Sequence, residues 1–388
     1  MAAARRPLLH GLVVAALALL LAWTAGGQAL LGRIDPALAV PLLILPMLLL
    51  GWWQRDEPAA GRRRTVLFTV IILAAGQALL AFRLAGSLAL AQLLLALAAA
   101  ALVGWISDAL VQRRTWGRGL RLVIAALLVT GWFAGGHALL SAFYRSAPVA
   151  GDAPAVTMLT SLPLRWAGGG GDIAAMIADG PGDDPALVRL QAAGPVSLVD
   201  SLVDHVPPPG GTLLLAHPRA LAPRELVAID AFVRGGGRAV ILADALSGWP
   251  ATHPLGDPRN PPVTSLLTPL LDHWGVTLGA APVGEAQALS VDVERARLRL
   301  FSAGRFDRLP ASCRAFAGRR VAHCLIGQGE AWLVGDADLI FAPLWQPAVP
   351  GASHLGQADT MDWLAARLWR DAATRAPLRP LWIRAHTE

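Results

Sequence analysis

The sequence predicts a two-part chain: an α-helical membrane region over residues 1–144, followed by an α/β domain built on a parallel sheet. Three observations carry this. Five long apolar runs, at 8–31, 37–53, 66–82, 87–106 and 122–143, are each near the ~20 residues that cross a bilayer core. Beyond residue 153, short wholly apolar stretches alternate with amphipathic ones, the pattern of strand–helix–strand units. The positive charge, finally, is confined to the first part. Residues 1–144 hold twelve arginines against Asp35, Asp56, Glu57 and Asp108, an excess of +8, whereas the rest has 21 arginines against 23 acidic residues, or −2.

The arginines also orient the runs. Arg5, Arg6, Arg55, Arg62, Arg63, Arg64, Arg113, Arg114, Arg118 and Arg121 fall in alternate gaps, and only Arg33, Arg83 and Arg145 fall in the others. Ten against three is a strong positive-inside bias. It predicts a cytoplasmic N-terminus and places everything after Tyr144 across the membrane, which in a bacterium is the periplasm. The net charge of +6 is therefore a topology signal that also favours anionic lipid headgroups. Nucleic acid is not expected as a partner, because the exported domain carries no basic excess. Every cation is arginine; there is no lysine.

The first run resembles a signal peptide, with two arginines ahead of it and small residues after it, but it is long and four more runs follow, so it reads as a retained helix. The second run holds Pro41 and Pro46 and is the shortest and least regular; a re-entrant or interfacial placement would change the number of crossings. Few polar residues interrupt the runs: Gln28, Gln77, Gln92, His137 and, at a run's end, Asp108. An ionisable group within the bilayer is a functional candidate. For His137 a proton-relay role competes with the simpler reading of a side chain satisfied by a neighbouring helix.

Residues 145–153 form a Pro/Gly/Ala linker, 154–370 the α/β domain, and 371–388 an Arg- and Pro-rich tail expected to be poorly ordered. Within the domain, 155–160 reads as a buried strand followed by a loop with four glycines at 168–171. Residues 187–190 and 196–203 suggest a short helix or a strand plus helix. A strand at 212–216 ends at His217-Pro218. The helix 223–233 starts at Pro223, aligns Leu226, Ile229, Phe232 and Val233 on one face, and stops at Gly235-Gly236-Gly237. Strands follow at 239–243 and 331–334, and a terminal helix at 361–369. Apolar strands of this kind imply helices on both faces of the sheet.

Three stretches together resemble a known family. Residues 213–244 (LLLAHPRALAPRELVAIDAFVRGGGRAVILAD) form one crossover unit, residues 327–339 (GQGEAWLVGDADL) match a signature of glycine, strand, glycine-aspartate, small residue and aspartate, and Gly356-Gln357-Ala358-Asp359 leads to Trp363-Leu364. In these, the domain over roughly 154–370 is similar to the periplasmic domain of the gliding-motility-type ABC transporter auxiliary proteins. The resemblance implies a flavodoxin-like parallel sheet with helices on both faces, the fold of class I glutamine amidotransferases. It further implies transporter subunits as partners, with a separate cytoplasmic ATPase. Five membrane segments exceed the one or two common in such auxiliaries.

Amidotransferase chemistry needs a cysteine on a sharp strand-to-helix turn with a histidine to activate it. The exits at His217 and Asp244 carry none, Cys313 and Cys324 lack a glycine elbow, and there is no G-x-S-x-G. Those two cysteines are candidates for a disulfide on the exported side or for two buried thiols. Residues 249–262 (WPATHPLGDPRNPP) space His253, Asp257, Arg259 and Asn260 with prolines at the carboxyl end of a strand, where ligands commonly bind. A recognition loop competes there with a rigid loop in which Asp257 and Asn260 cap turns. Scattered histidines such as His217, His253 and His273 lack metal-ligand spacing. Asp336 and Asp338 form a D-x-D pair, expected to cap the next turn or helix rather than hold a cation. The glycines at 168–171 do not follow phosphate-loop spacing. With His217, Asp244, His253, Asp257, Arg259, Asn260, Asp336 and Asp338 as ligand or partner candidates, the expectation is a non-enzymatic membrane protein without cofactor or metal. The alternatives are a periplasmic hydrolase or transferase using His253, Asp257 and Asp244, and a ligand-binding sensor or scaffold.

Overall fold

The structure is a computed structural model of the chain and describes residues 2–113, 115–165, 182–203, 205–208, 210–251, 253–254, 256–257, 259–369 and 376–384. The glycines at 168–171 lie outside these. Two compact units emerge. One comprises Met1–Arg145, Pro347–Gly356 and Ala376–Glu388, the other Ser146–Gln346 and Gln357–Arg375. The contiguous domain expected over 154–370 is thus interrupted, because residues 347–356 belong with the helices.

The helical unit contains α1 (Ala2–Trp23), α2 (Gln28–Leu31), α3 (Ile44–Trp53), α4 (Ala59–Ala85), α5 (Leu90–Gln112) and α6 (Arg118–Phe143). Four spans, Pro7–Leu31, Ala59–Ala85, Leu90–Gln112 and Arg118–Phe143, are long and apolar enough to cross a membrane. The second run, 37–53, is not one helix. Pro36–Leu42 forms a 3-10 turn that meets α3 at a bend of 61°. Its prolines explain this: neither Pro41 nor Pro46 has an N–H to donate to the helical ladder. Asp35 caps the start by accepting from the Ala37 N–H at 3.2 Å, and Trp132 donates to the Val40 carbonyl at 2.7 Å.

Small residues bring these helices together, as in membrane bundles. A Cβ on Gly11 would lie 2.9 Å from Thr69 Oγ1, and one on Gly76 2.9 Å from Leu19, so α1 and α4 pack side by side, in the same direction. The bent pair starts at Asp35, which accepts from the Tyr144 hydroxyl at the end of α6. It ends at Trp53, whose ring is 5.0 Å from that of His10 near the start of α1. It therefore runs the full depth of the bundle. At that second end Arg62 pairs with Asp108 at 2.6 Å, and Gln112 donates to the Arg55 carbonyl.

Within the tail expected to be poorly ordered, the described residues 376–384 are held; 371–375 and 385–388 lie outside the described residues. Ile34 N–H donates to Leu381 O and Ile383 N–H to Gly32 O, both at 2.9 Å, Arg384 N–H donates to Leu84 O, and Gln92 donates to Arg379 O at 2.8 Å. Backbone that finds partners of this kind is held. His137 is also satisfied: its Nδ1 lies 2.8 Å from His354 Nε2, and Ser141 Oγ lies 3.0 Å from His354 Nδ1.

The second unit is α/β. In chain order it has β1 (Val156–Thr160), α7 (Pro185–Ala193), β2 (Val196–Leu198), β3 (Thr212–Ala216), α8 (Pro223–Arg234), β4 (Arg238–Leu242), α9 (Thr268–His273), β5 (Thr277–Leu278), β6 (Ala288–Val293), β7 (Ala296–Phe301), β8 (Phe306–Arg308), β9 (Cys313–Phe316), β10 (Val321–Ile326), β11 (Gly329–Val334), α10 (Ala342–Trp345) and α11 (Thr360–Leu368). The main sheet has the order β2-β1-β3-β4-β11-β10-β9. The first five strands are mutually parallel, and β10 and β9 extend them through antiparallel pairings. The sheet is accordingly mixed rather than wholly parallel. The pairs β5–β8 and β6–β7 stand apart from it.

Each face of the sheet carries its own core. Met158, Leu214, Val240 and Val334 pack with Leu187 and Leu190 of α7 and Trp363 and Leu364 of α11. Leu159, Leu213, Leu215, Ile241 and Leu333 pack with Ile229 and Val233 of α8 and Leu270 and Leu271 of α9. Burying each such side chain stabilises the fold by about 1.5–3 kcal/mol. β11 sits tightly against the α8–β4 turn, since a Cβ on Gly329 would fall 2.1 Å from Val233 O and 2.2 Å from Gly237 O.

Candidate functional site

The parallel strands share a carboxyl edge, and the loops leaving it contain every polar candidate except the cysteines. β2 lies on one side of β1 and β3 on the other, so the ends of β1 and β3 flank a topological switch point, the usual place for a ligand crevice. Here the crevice is stitched together by the chain itself. Ser161 donates from both its N–H and its hydroxyl to His217 O, and Thr160 Oγ1 donates to Ala216 O at 2.7 Å. His217 is wholly buried and has a left-handed backbone with φ of 50°. Its Nε2 lies 2.6 Å from Pro262 O. A carbonyl only accepts, so the proton is on Nε2, and Nδ1 is a buried acceptor with no partner among the described residues. Burial lowers the pKa of this ring, while the Pro262 contact opposes the shift.

Asn260, Asp257 and Arg259 bond within the proline-rich loop. Asn260 Oδ1 accepts from the His253 N–H at 3.1 Å, and its Nδ2 donates to the carbonyls of His253 and Pro254 at 2.9 and 3.0 Å. Asp257 accepts from the Arg259 N–H at 2.9 Å and pairs with its guanidinium at 2.7 Å. Asp257 and Asn260 thus bond back to the described backbone of the loop, and His217 contacts it at Pro262.

Asp244, Asp336 and Asp338 come together. One oxygen from each lies within 4.8 Å of the others, and all three residues are buried. Asp244, two residues past β4, accepts from Leu246 N–H at 3.0 Å and from Ala337 N–H at 3.1 Å. Asp338 accepts from the Ser247 hydroxyl at 3.1 Å and from the Gly248 N–H. Asp336 Oδ2 accepts from the Phe301 N–H at 2.7 Å, and Asp336 Oδ1 is buried without a hydrogen-bond partner among the described residues. The D-x-D aspartates therefore reach across to other loops, where turn capping was expected. At an effective dielectric constant near 20, each pair of charges at this separation repels by about 3–4 kcal/mol. Burial, then the Asp338 charge, pushes Asp244 up to about 7. Burial and the two neighbouring charges push Asp336 well above the carboxylate range, and burial raises Asp338.

Cys313 of β9 and Cys324 of β10 are cross-strand partners and are joined by a disulfide with Cα atoms 4.0 Å apart. Sequence reasoning singled out the three aspartates separately. It missed the donors that gather them, Ser247, Gly248 and Phe301, which nothing local distinguishes. It also missed the buried Arg33–Asp35 pair at 2.8 Å, although two opposite charges flanked by apolar runs are a visible signal.

Residues 193–299 match a family model, ABC_transp_aux, described as an ABC-type uncharacterized transport system. The match runs from the end of α7 into β7 and includes His217, Asp244 and the proline-rich loop but neither Asp336 nor Asp338. No curated protein matches the chain. Among solved structures, an exo-beta-1,4-mannosidase from Opitutaceae bacterium strain TAV5 is 15% identical with a TM-score of 0.33, covering 56% of this chain and 36% of that one. A beta-galactosidase from Rahnella sp. R3 is 15% identical with a TM-score of 0.31, covering 67% and 36%. One from the haloarchaeon Halorubrum lacusprofundi is 16% identical with a TM-score of 0.32, covering 67% and 34%. The chain spans about a third of the length of these structures, and likeness at such scores says nothing about its chemistry.

Proposed function

We propose that this protein is a non-enzymatic inner-membrane accessory component of an ABC-type transport or envelope system, with its α/β unit in the periplasm. The observation that carries the reading is the family match over residues 193–299. The helices support membrane anchoring, and the arginine pattern supports an odd number of crossings with the N-terminus inside. The bent pair agrees with five crossings, since it starts beside Tyr144 and ends beside His10. A disulfide belongs to an oxidising compartment, which suits the exported placement.

The order β2-β1-β3-β4-β11 is the 2-1-3-4-5 arrangement of flavodoxin-like sheets, which supports the amidotransferase-like reading of the fold. The chemistry does not follow the fold. Both sulfurs are committed to the disulfide, which leaves no thiolate nucleophile, and Asp257 is paired with Arg259. The hydrolase and sensor readings have no specific observation in their favour. Affinity purification of the full chain in mild detergent should recover an ABC permease and its ATPase. Repeated recovery without any transporter subunit would end the accessory reading.

A further inference from the structure

We propose that Asp244, Asp336 and Asp338 together bind one calcium ion at the carboxyl ends of β4 and β11. This goes beyond the transport reading and does not rest on it. Five of the six carboxylate oxygens already accept an N–H or a hydroxyl, from Leu246, Ala337, Ser247, Gly248 and Phe301. Donors aimed at a carboxyl group favour its ionised form. The sixth oxygen, Asp336 Oδ1, is fully buried and has no hydrogen-bond partner among the described residues. Among the described residues, no arginine or histidine forms an ion pair with any of the three.

Three buried carboxylates so arranged need a positive charge. A proton on Asp336 Oδ1 would remove one negative charge and leave the other two. A divalent ion answers all three. Carboxylate oxygen is the ligand of hard cations, and calcium bonds it at roughly 2.3–2.6 Å, with mono- or bidentate geometry and few demands on angle. An ion at that bond length spans opposite ligands about 5 Å apart, which accommodates oxygens within 4.8 Å of one another. Magnesium, at about 2.0–2.1 Å, would draw them closer and keeps several waters, which a site this deeply buried has little room for. The ion would tie the loop after β4 to the β11 exit and, through the Asp336–Phe301 bond, to the end of β7.

The test uses the full chain in detergent, stripped with EDTA and desalted, then given calcium or magnesium chloride. With about 1 mM calcium, melting should rise by about 5 °C or more, the scale expected when a ligand binds the folded state well above its dissociation constant. About one calcium per chain should survive desalting, because affinity rises with the number of charged oxygen ligands and the rigidity with which they are held. Magnesium should give less than half that shift. Asp336→Asn and Asp338→Asn, made separately, should each abolish the shift and the retained calcium. Wild-type protein that melts identically in calcium and EDTA and retains no metal would overturn the proposal. So would a calcium shift that survives in both variants, since the ion would then lie elsewhere. A magnesium shift equal to the calcium shift would overturn the choice of calcium. If one variant does not fold, the other and the wild-type comparison decide.

Discussion

Glu225 accepts the N–H of Ala222 at 2.9 Å, closing the first turn of α8, and also takes the Ser201 hydroxyl and the Leu202 N–H. Burial alone would raise its pKa, but these donors and the charge of Arg224 outweigh it and hold the carboxyl below its ordinary 4.5. A group depressed in the folded state contributes stability that is complete above its ordinary value and is lost as pH falls through the folded one. Glu225→Gln should therefore lower the melting temperature near neutral pH by about 2–4 °C, the effect of losing about 1 kcal/mol of capping. The gap to wild type should close below pH 4.5, as thermal melts across pH will show; a gap that widens on acidification would refute the assignment. At this scale the sequence was a partial guide. The polar candidates could be named individually from their loops. Which of them meet could not, because Asp244 and Asp338 are 94 positions apart and join only when β4 and β11 become neighbours.

At the scale of elements, wholly apolar strands and the Pro-started, Gly-stopped helix were legible because local propensity and period both pointed one way. β3 occupies the residues expected of it, and α8 spans Pro223–Arg234. The hairpin β6–β7 was not anticipated. Its alternation of Leu289, Val291 and Val293, then Ala296, Leu298 and Leu300, is a period-2 signal, but charged residues between these positions hid it among loops. β9 and β10 were missed for a similar reason: each is short and part polar, and β10 is a strand because it pairs with β11, as β9 is because it pairs with β10. The disulfide then secures the edge strand β9 to β10. Linking cysteines 11 positions apart should contribute about 2–3 kcal/mol. Reduction, or the double change Cys313→Ala with Cys324→Ala, should lower melting by about 5–10 °C, and hydrogen exchange should quicken first in residues 313–316. Unchanged melting on full reduction, verified by thiol titration, would show that the bond does not stabilise the fold.

At the scale of the whole chain, each unit is assembled from separated stretches, and residues 347–356 and 376–384 return to the helices after the sheet is complete. Arg33 shows the physical cost of reading this locally. As an arginine between apolar runs it counts only as a topology marker, yet it is wholly buried, pairs with Asp35, donates to the His354 carbonyl and lies against the rings of Tyr144 and Trp382. A buried charge needs such partners, and most of them come from distant parts of the chain. The topology itself makes a prediction. Alkaline phosphatase fused after Glu388 should be active and green fluorescent protein at the same point dark. The reverse result would place the C-terminus in the cytoplasm and remove the exported reading of the α/β unit.

Hydropathy, charge asymmetry and strand-and-helix periodicity by themselves determined that apolar helices precede an α/β sheet, because those properties act over a few turns or a single bilayer thickness. Only the tertiary structure decided the bend of 61° in the second apolar run, the antiparallel extension of the sheet, the return of the C-terminal stretch to the helices and the meeting of three aspartates. Each depends on residues distant in sequence satisfying one another's charges and hydrogen bonds, and no local window contains both partners.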